Sequence, residues 1–375
     1  MTPPLDLDYL KDVLVRLLET PSPSGYTDQV VHLVGTELEG MKIPFELTRR
    51  GAIKASLRGK APSPHRAMVA HLDTLGAMVK RLKENGRLEI VPIGTWSSRF
   101  AEGARVRVLT DTSTFTGTIL PVTASGHIFN EKVDQLPISW QNVELRIDAP
   151  CSCREDLEAR VAVGDYITID ASPLILDNGY IKARHLDDKA GVAIVLAAAR
   201  ALAGTELPLT SFLVFTISEE VGTGASGILH SDVAEMVAID NAINGPGQNA
   251  SEFGATIPFM DASGPFDYHL THKLLALAAE HVIDCARDVY VNYRCDAASA
   301  IESGNDVRTA MISFALDASH GYERTHLRSL EAVGRLAMAY LMSPPTFQRD
   351  RKERGALKGF PEQPIWPVKK ERGYI

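Results

Sequence analysis

Five places in this 375-residue chain set acidic or imidazole groups where apolar segments end: His71, Asp187, the Glu219–Glu220 pair, Asp240 and His320. Mixed oxygen and nitrogen ligands of this kind suit a two-metal hydrolase, in which paired cations activate water and polarise a carbonyl. Each also has an ordinary reading. Adjacent glutamates commonly begin a solvated loop, and Asp240 could open the NAINGPGQN turn, since Asp and Asn favour turns. The series of strand-end partners is what favours chemistry over those readings.

Buried strands must position these groups. SFLVFTISEE carries an apolar, β-branched run from Phe212 to Ile217 that stops at two carboxylates, the pattern of a strand buried on both faces. RAMVAHLD delivers His71 and Asp73, MVAID delivers Asp240, and AMISFALDASH delivers His320 a few residues past its strand. Four strands therefore aim polar groups at one edge, the carboxyl edge where open α/β sheets bind ligands. In KARHLDDKAGVAIVLAAARALAG a short strand through Ile181 turns into an Ala-rich helix that ends near Gly204. A carboxylate at that turn faces the positive end of the helix. With Asp188 in the cap region and Lys189 in the first turn, Asp187 is the one free to project into the cleft and bridge two cations, although either Asp could do so.

HLDTLGAMV, RHLDDKAGVA, ISEEVGTGAS, AIDNA and a late SHGYE together resemble, in order and spacing, the motif series of the tetrahedral aminopeptidases. These form the glutamyl aminopeptidase group, metallopeptidase family 42 of clan MH, formerly called cellulase M. The likeness begins at PSPSGYTDQVV, takes in PIGTW and VGDYITID, and runs to about Leu341.

The resemblance implies a role for each matching position. His71, Asp187 and Asp240 would hold one metal, and Asp187, Glu220 and His320 the other, with Asp187 shared. Glu219 would be the general base that takes a proton from the attacking water and passes it to the leaving amine. Asp73, on the same strand face as His71, would orient that imidazole. Two divalent metal ions per subunit are implied, zinc first, with cobalt or manganese as alternatives. Mixed His and carboxylate ligands suit these better than calcium or magnesium.

Departures from the family pattern are Thr74 after HxD, Lys189 in place of Arg, and Cys295-Asp296-Ala297 in place of Thr-Asp-Ala. These bear on specificity more than on metal binding. His320 stands three residues before Glu323 where the family more often shows four, which makes His326 a fallback ligand. His32, His65, His127, His230, His269, His272 and His281 lack ligand-like company and are expected to be surface or structural. His185 is expected to point away from Asp187. VGTGASG lacks the P-loop lysine and the Rossmann spacing, and its glycines are expected to let the backbone pass close to the metals.

Length predicts two domains. Between Gly76 and about Ala171 helical periodicity gives way to short segments, GRLEIVPI, ARVRVLTD, FTGTILPV, NVELRID and DYITID, some with clear alternation and punctuated by glycine. The expected fold is α/β: a mixed-sheet, zinc-peptidase-like catalytic domain over 1–75 and 172–342, with a small β-barrel inserted at 76–171. The resemblance makes this insert a PDZ-like dimerisation domain and implies dimers that assemble into a hollow tetrahedral dodecamer. HLRSLEAVGRLAMAYLM reads as a core helix. The tail 343–375 is rich in proline and charge and is not expected to form its own core, although Phe360 and Trp366 could dock on a neighbour.

Composition excludes several classes. A net charge of −8 argues against nucleic acid as a partner. No run of about eighteen apolar residues spans a bilayer, and the N-terminus lacks a signal-peptide pattern, so a cytoplasmic location is expected, with no membrane partner. Cys151, Cys153, Cys285 and Cys295 are too few and too irregular for a disulfide framework.

The expected activity is a metal-dependent aminopeptidase acting on peptides or small amides. Three rivals remain: a clan-related N-deacylase or carboxypeptidase, a glycosidase, which would need facing carboxyls, and a non-catalytic binding or assembly protein that keeps the metals for stability. Thr74 and Cys295 are similar to a divergent branch of the family linked to the N-acetylglutaminylglutamine amide osmolyte, whose substrate would be a small modified dipeptide.

Overall fold

A computed structural model of the protein describes residues 2–229, 232–351 and 357–364. His230 and Trp366 lie outside the described residues. An eight-stranded sheet runs in the order Phe45–Leu47, Ile53–Leu57, Leu207–Thr216, Gly59–His71, Val233–Ile243, Arg308–Leu316, Ala255–Pro258 and Cys285–Asp288. Its four middle strands, from Leu207–Thr216 to Arg308–Leu316, are mutually parallel, whereas antiparallel pairing flanks them on both sides. These are the four strands that the apolar runs indicated, and in space they are neighbours. Their carboxyl ends therefore fall along one edge.

Apolar runs become central strands because both of their faces are covered. Val69, Leu213, Val214, Phe215, Val237, Ile312 and Phe314 are buried, and each such side chain contributes about 1.5–3 kcal/mol by leaving water. The helix Leu186–Leu202 is buried almost all round, packed on the sheet and covered by the helices Leu7–Glu19 and Leu327–Met342. That burial accounts for its run of alanine, valine and leucine.

The insert is a closed antiparallel barrel of Gly76–Leu82, Leu88–Ile93, Val143–Ile147, Thr114–Pro121, Arg105–Leu109 and Tyr166–Ile169, in that order around the wall. It has a core separate from that of the large sheet, including Val79, Leu88, Ile90, Val108, Leu145 and Ile167. Short helical turns interrupt it, at Ser98–Phe100, Gly126–Phe129, Lys132–Gln135, Trp140–Asn142 and Arg154–Glu158. The first barrel strand was hidden in the sequence. A register shift between Val79 and Arg81 leaves both Lys80 and Arg81 exposed and breaks the alternation.

The start of the tail is tied down on the far side of the sheet. Arg66, fully buried, pairs with Glu235 at 3.3 Å and donates to the carbonyls of Tyr340, Leu341, Ser343 and Pro344. Phe347 lies under the Arg308 guanidinium at 4.8 Å. Phe360 is exposed, with Arg349 over its ring. All four cysteines are free. Among the described residues no helix is long and apolar enough to cross a membrane.

Candidate metal centre

Each group of the series arrives from the carboxyl edge. His71 ends its strand, Asp240 lies near the end of Val233–Ile243, Glu219 and Glu220 follow Leu207–Thr216, and His320 stands four residues beyond Leu316. Asp187 sits where the Leu186–Leu202 helix begins, in non-helical backbone. The structure brings all six together. Asp187 is central: its Oδ1 is 3.1 Å from His71 Nε2 and its Oδ2 is 3.4 Å from His320 Nε2. Glu220 Oε2 lies 3.7 Å from the same His320 nitrogen, and Glu219 Oε2 lies 3.9 Å from His71 Nε2. One ligand atom each from His71, Asp187 and Asp240 fall within 4.8 Å of one another.

Both imidazoles are held through the nitrogen that faces away from this cluster. His71 Nδ1 meets the backbone carbonyl of Asp73 at 2.9 Å, and His320 Nδ1 meets the carbonyl of Thr95 at 2.8 Å. The Thr95 contact comes from the barrel side of the chain, within the PIGTW segment. Each ring thus turns its Nε2 toward the carboxylates, the arrangement in which a second partner fixes tautomer and orientation for a ligand.

Three further carboxylates hold the backbone of the cluster. Asp73 accepts from the N–H groups of Glu219 at 3.0 Å and Glu220 at 3.3 Å, and from the Ser24 hydroxyl. Asp188 accepts from the N–H of His71 at 3.1 Å. Glu323 accepts from the N–H of Asp187 at 3.2 Å and of His320 at 3.0 Å. The sequence offered no sign of the Asp188 and Glu323 contacts beyond their nearness to the candidate ligands. For Asp73 the expectation was a grip on the imidazole of His71: its carboxylate lies 3.6 Å from Nδ1 of that ring, its backbone carbonyl meets the same nitrogen at 2.9 Å, and the carboxylate also takes the two glutamate amides.

Close approach is bought with glycine at two points. A Cβ on Gly191 would fall 2.1 Å from an Asp188 oxygen, and one on Gly224 would fall 1.8 Å from an Asp296 oxygen. Asp296 in turn accepts from the Thr216 hydroxyl at 2.7 Å. Gly224 of VGTGASG thus gives passage to this buried carboxylate.

His326 is placed otherwise. It caps the final helix, where its Nδ1 accepts from the Arg328 N–H and its Nε2 meets the Asn178 carbonyl, each at 3.0 Å. Both ring nitrogens are engaged away from the cluster. His185 likewise points away, its Nε2 3.3 Å from the Ile169 carbonyl.

The electrostatics call for cations. Burial first, then the charge of Asp187, pushes the Glu220 carboxyl up to about 8 and that of Asp240 up to about 7. Glu219 is pushed well up by burial, opposed by His71 and reinforced by Asp240. Although burial opposes it, the hydrogen bond to Asp187 and the charge of Glu220 lift His320 to about 10. So many acidic groups packed together and largely buried repel one another unless positive charge is shared among them. Imidazole and carboxylate donors grouped in this way fit divalent cations.

Comparison with known proteins identifies the family. A model of the M42 glutamyl aminopeptidase family matches residues 51–336. The protein YhfE of Bacillus subtilis (strain 168) is 37% identical over 337 residues, spanning 89% of this chain and 97% of its own length. The glutamyl aminopeptidase of Lactococcus lactis subsp. cremoris (strain MG1363) is 28% identical, over 57% of this chain and 60% of its own. Among solved structures, the Pyrococcus horikoshii TET1 peptidase, which can assemble into a tetrahedron or a large octahedral shell, superimposes with a TM-score of 0.79 at 22% identity, covering 89% of this chain and 99% of that one. Motif series, sheet topology, inserted barrel and family match converge: the chain belongs to the M42 glutamyl aminopeptidase family.

Proposed function

We propose that this chain removes N-terminal residues from peptides at a centre of two divalent cations, with Glu219 as the general base. The observation that carries the proposal is the position of Asp187, one oxygen toward each of two imidazoles whose other nitrogens are already held. In this reading His71, Asp187 and Asp240 hold one cation, and Asp187, Glu220 and His320 the other. Such a pair, when bound, supplies Lewis-acid polarisation of the scissile carbonyl and lowers the pKa of the attacking water.

The chain's own residues do the rest. Glu219, one residue before Glu220, stands beside His71 with a largely buried side chain. Its carboxylate receives the proton of the attacking water and delivers it to the amine that leaves, so the enzyme ends the cycle as it began. Asp73 fixes the turn on which both glutamates stand. Its two hydrogen bonds keep the base and its neighbour in one geometry.

The barrel supports a role in assembly. Ile128, Ile138 and Val163 are exposed on the insert, and apolar side chains presented in this way suit a surface that pairs with a second copy. We infer dimers formed through the insert, and a closed shell comparable to those of the TET1 peptidase.

The test is hydrolysis of free-amine, N-acetylated and C-terminally blocked peptides by metal-stripped protein reloaded with zinc, cobalt or manganese. Release of N-terminal residues from free-amine peptides alone supports the proposal. Cleavage restricted to acetylated substrates would move the chain to the deacylases, and a requirement for a free carboxylate would move it to the carboxypeptidases.

A further inference from the structure

Arg184 is a cation without a partner beside the candidate metal ligands. It stands in the RHLDDKAGVA segment, directly after the strand Tyr180–Ala183 and shortly before Asp187. Its N–H donates to the Ala171 carbonyl at 2.9 Å, which fixes its backbone just past the last barrel strand, Tyr166–Ile169. The residue is half-buried. Among the described residues its guanidinium makes no hydrogen bond and no ion pair, and it lies over no aromatic ring.

Arg184 lines one cleft with Asp187, Glu220 and His320, and Leu75, Trp96 and Ile169 complete much of the lining. The walls are held in place. Trp96 Nε1 donates to the Gly76 carbonyl at 3.1 Å, and His320 Nδ1 meets the Thr95 carbonyl at 2.8 Å. Glu323 also borders the cleft, yet its two oxygens accept from the N–H groups of Asp187 and His320, and it forms no ion pair with Arg184.

A guanidinium half withdrawn from water, with its five N–H donors unmatched by the protein, leaves hydrogen bonds for a ligand to complete. Its planar fork fits a carboxylate, which accepts two parallel N–H···O bonds at once. The acidic side chains around it would otherwise turn a negatively charged group away. Arg184 therefore decides whether such a group is admitted. With the scissile bond at the centre, a substrate group that reaches the same cleft belongs to the side chain of the first residue or to the residue just after the bond.

We propose that Arg184 pairs with a carboxylate of the substrate, that of an acidic first residue or that of the C-terminus of a dipeptide, and so is a specificity-determining residue of this chain. The proposal rests on the aminopeptidase reading.

Two substrate pairs that differ by one carboxylate test it in zinc-loaded protein: Glu-Ala amide against Gln-Ala amide, and Ala-Ala against Ala-Ala amide. Wild type is expected to favour the carboxylate member of at least one pair by about 10–100-fold in kcat/KM. A preference in the first pair assigns the carboxylate to the side chain, and one in the second assigns it to the C-terminus. Arg184→Gln is expected to abolish the preference while changing kcat/KM for the neutral member by less than about threefold, with zinc content and thermal midpoint unchanged. Arg184→Lys, which keeps the charge without the fork, is expected to retain part of the preference. No preference in wild type, or one that survives in Arg184→Gln, would overturn the proposal. So would an equal fall for both members of each pair or a loss of zinc that accounts for the change, since the arginine would then only balance charge around Glu323. If wild type turns over none of the four, the aminopeptidase reading fails first, and calorimetry decides Arg184 separately. Its probes are L-glutamate against L-glutamine and Ala-Ala against Ala-Ala amide: tighter binding of a carboxylate member that Arg184→Gln loses supports the pairing, and binding alike in wild type and variant, or to neither, overturns it.

Discussion

The carboxylate of Asp73 accepts the backbone N–H of Glu219 at 3.0 Å, joining the end of one parallel strand to the turn that follows its neighbour. A second oxygen takes the N–H of Glu220 at 3.3 Å. Asp73 is fully buried, so these contacts are not shared with water. In Asp73→Asn one of the two oxygens becomes an NH2 that faces donors. The expected cost is about 1–3 kcal/mol of stability, together with a fall in kcat of about 10–100-fold. Denaturant unfolding and peptide turnover, measured on the same preparation, check both.

Glu323 does for Asp187 and His320 what Asp73 does for the glutamates, through two backbone N–H groups. Glu323→Gln leaves volume nearly unchanged and removes one acceptor. Zinc affinity should fall about 10–100-fold. Retention of wild-type affinity in a competition titration would show that the two loops hold their shape without it.

His320 and His326 are separable. His320→Ala is expected to lose about one equivalent of bound zinc and nearly all turnover. His326→Ala should keep both equivalents and lose only the cap of the final helix, about 0.5–2 kcal/mol. Metal analysis of the two purified variants distinguishes them, and zinc lost from His326→Ala instead would reverse the assignment.

Metal-free protein should lose stability as pH rises. Glu220 at about 8 and Asp240 at about 7 stand above their ordinary unfolded values, about 4.3 and 3.9. A group raised in the folded state binds its proton more tightly there. Its contribution is therefore fully present below the unfolded value and is lost as pH rises through the folded one. His320, lifted to about 10, adds a loss in the same direction at higher pH. Zinc needs all three groups deprotonated and should release protons on binding. The gap in thermal midpoint between zinc-loaded and metal-free protein is expected to widen from pH 5 to pH 8, and a constant gap would contradict this.

The sequence made the central sheet legible because a strand buried on both faces must be written in apolar residues, so Phe212–Ile217 and the runs before His71, Asp240 and His320 stand out. Ligand-type side chains at their ends were legible for the same reason. The first barrel strand was not, since the irregularity after Val79 removes its alternation. Nor could spacing reveal that Thr95, 225 positions before His320, offers its carbonyl to that ring. The tasks of Asp188 and Glu323 likewise depend on how loops from distant parts of the chain meet, which no local pattern records.

The central claim is tested most directly by zinc content and turnover measured together in wild type and Glu219→Gln. The account predicts two zinc ions per chain in both proteins. It also predicts metal-dependent release of N-terminal residues by wild type, reduced by about 10²–10⁴ in the variant. Full turnover by Glu219→Gln, or by protein stripped of metal, would contradict it.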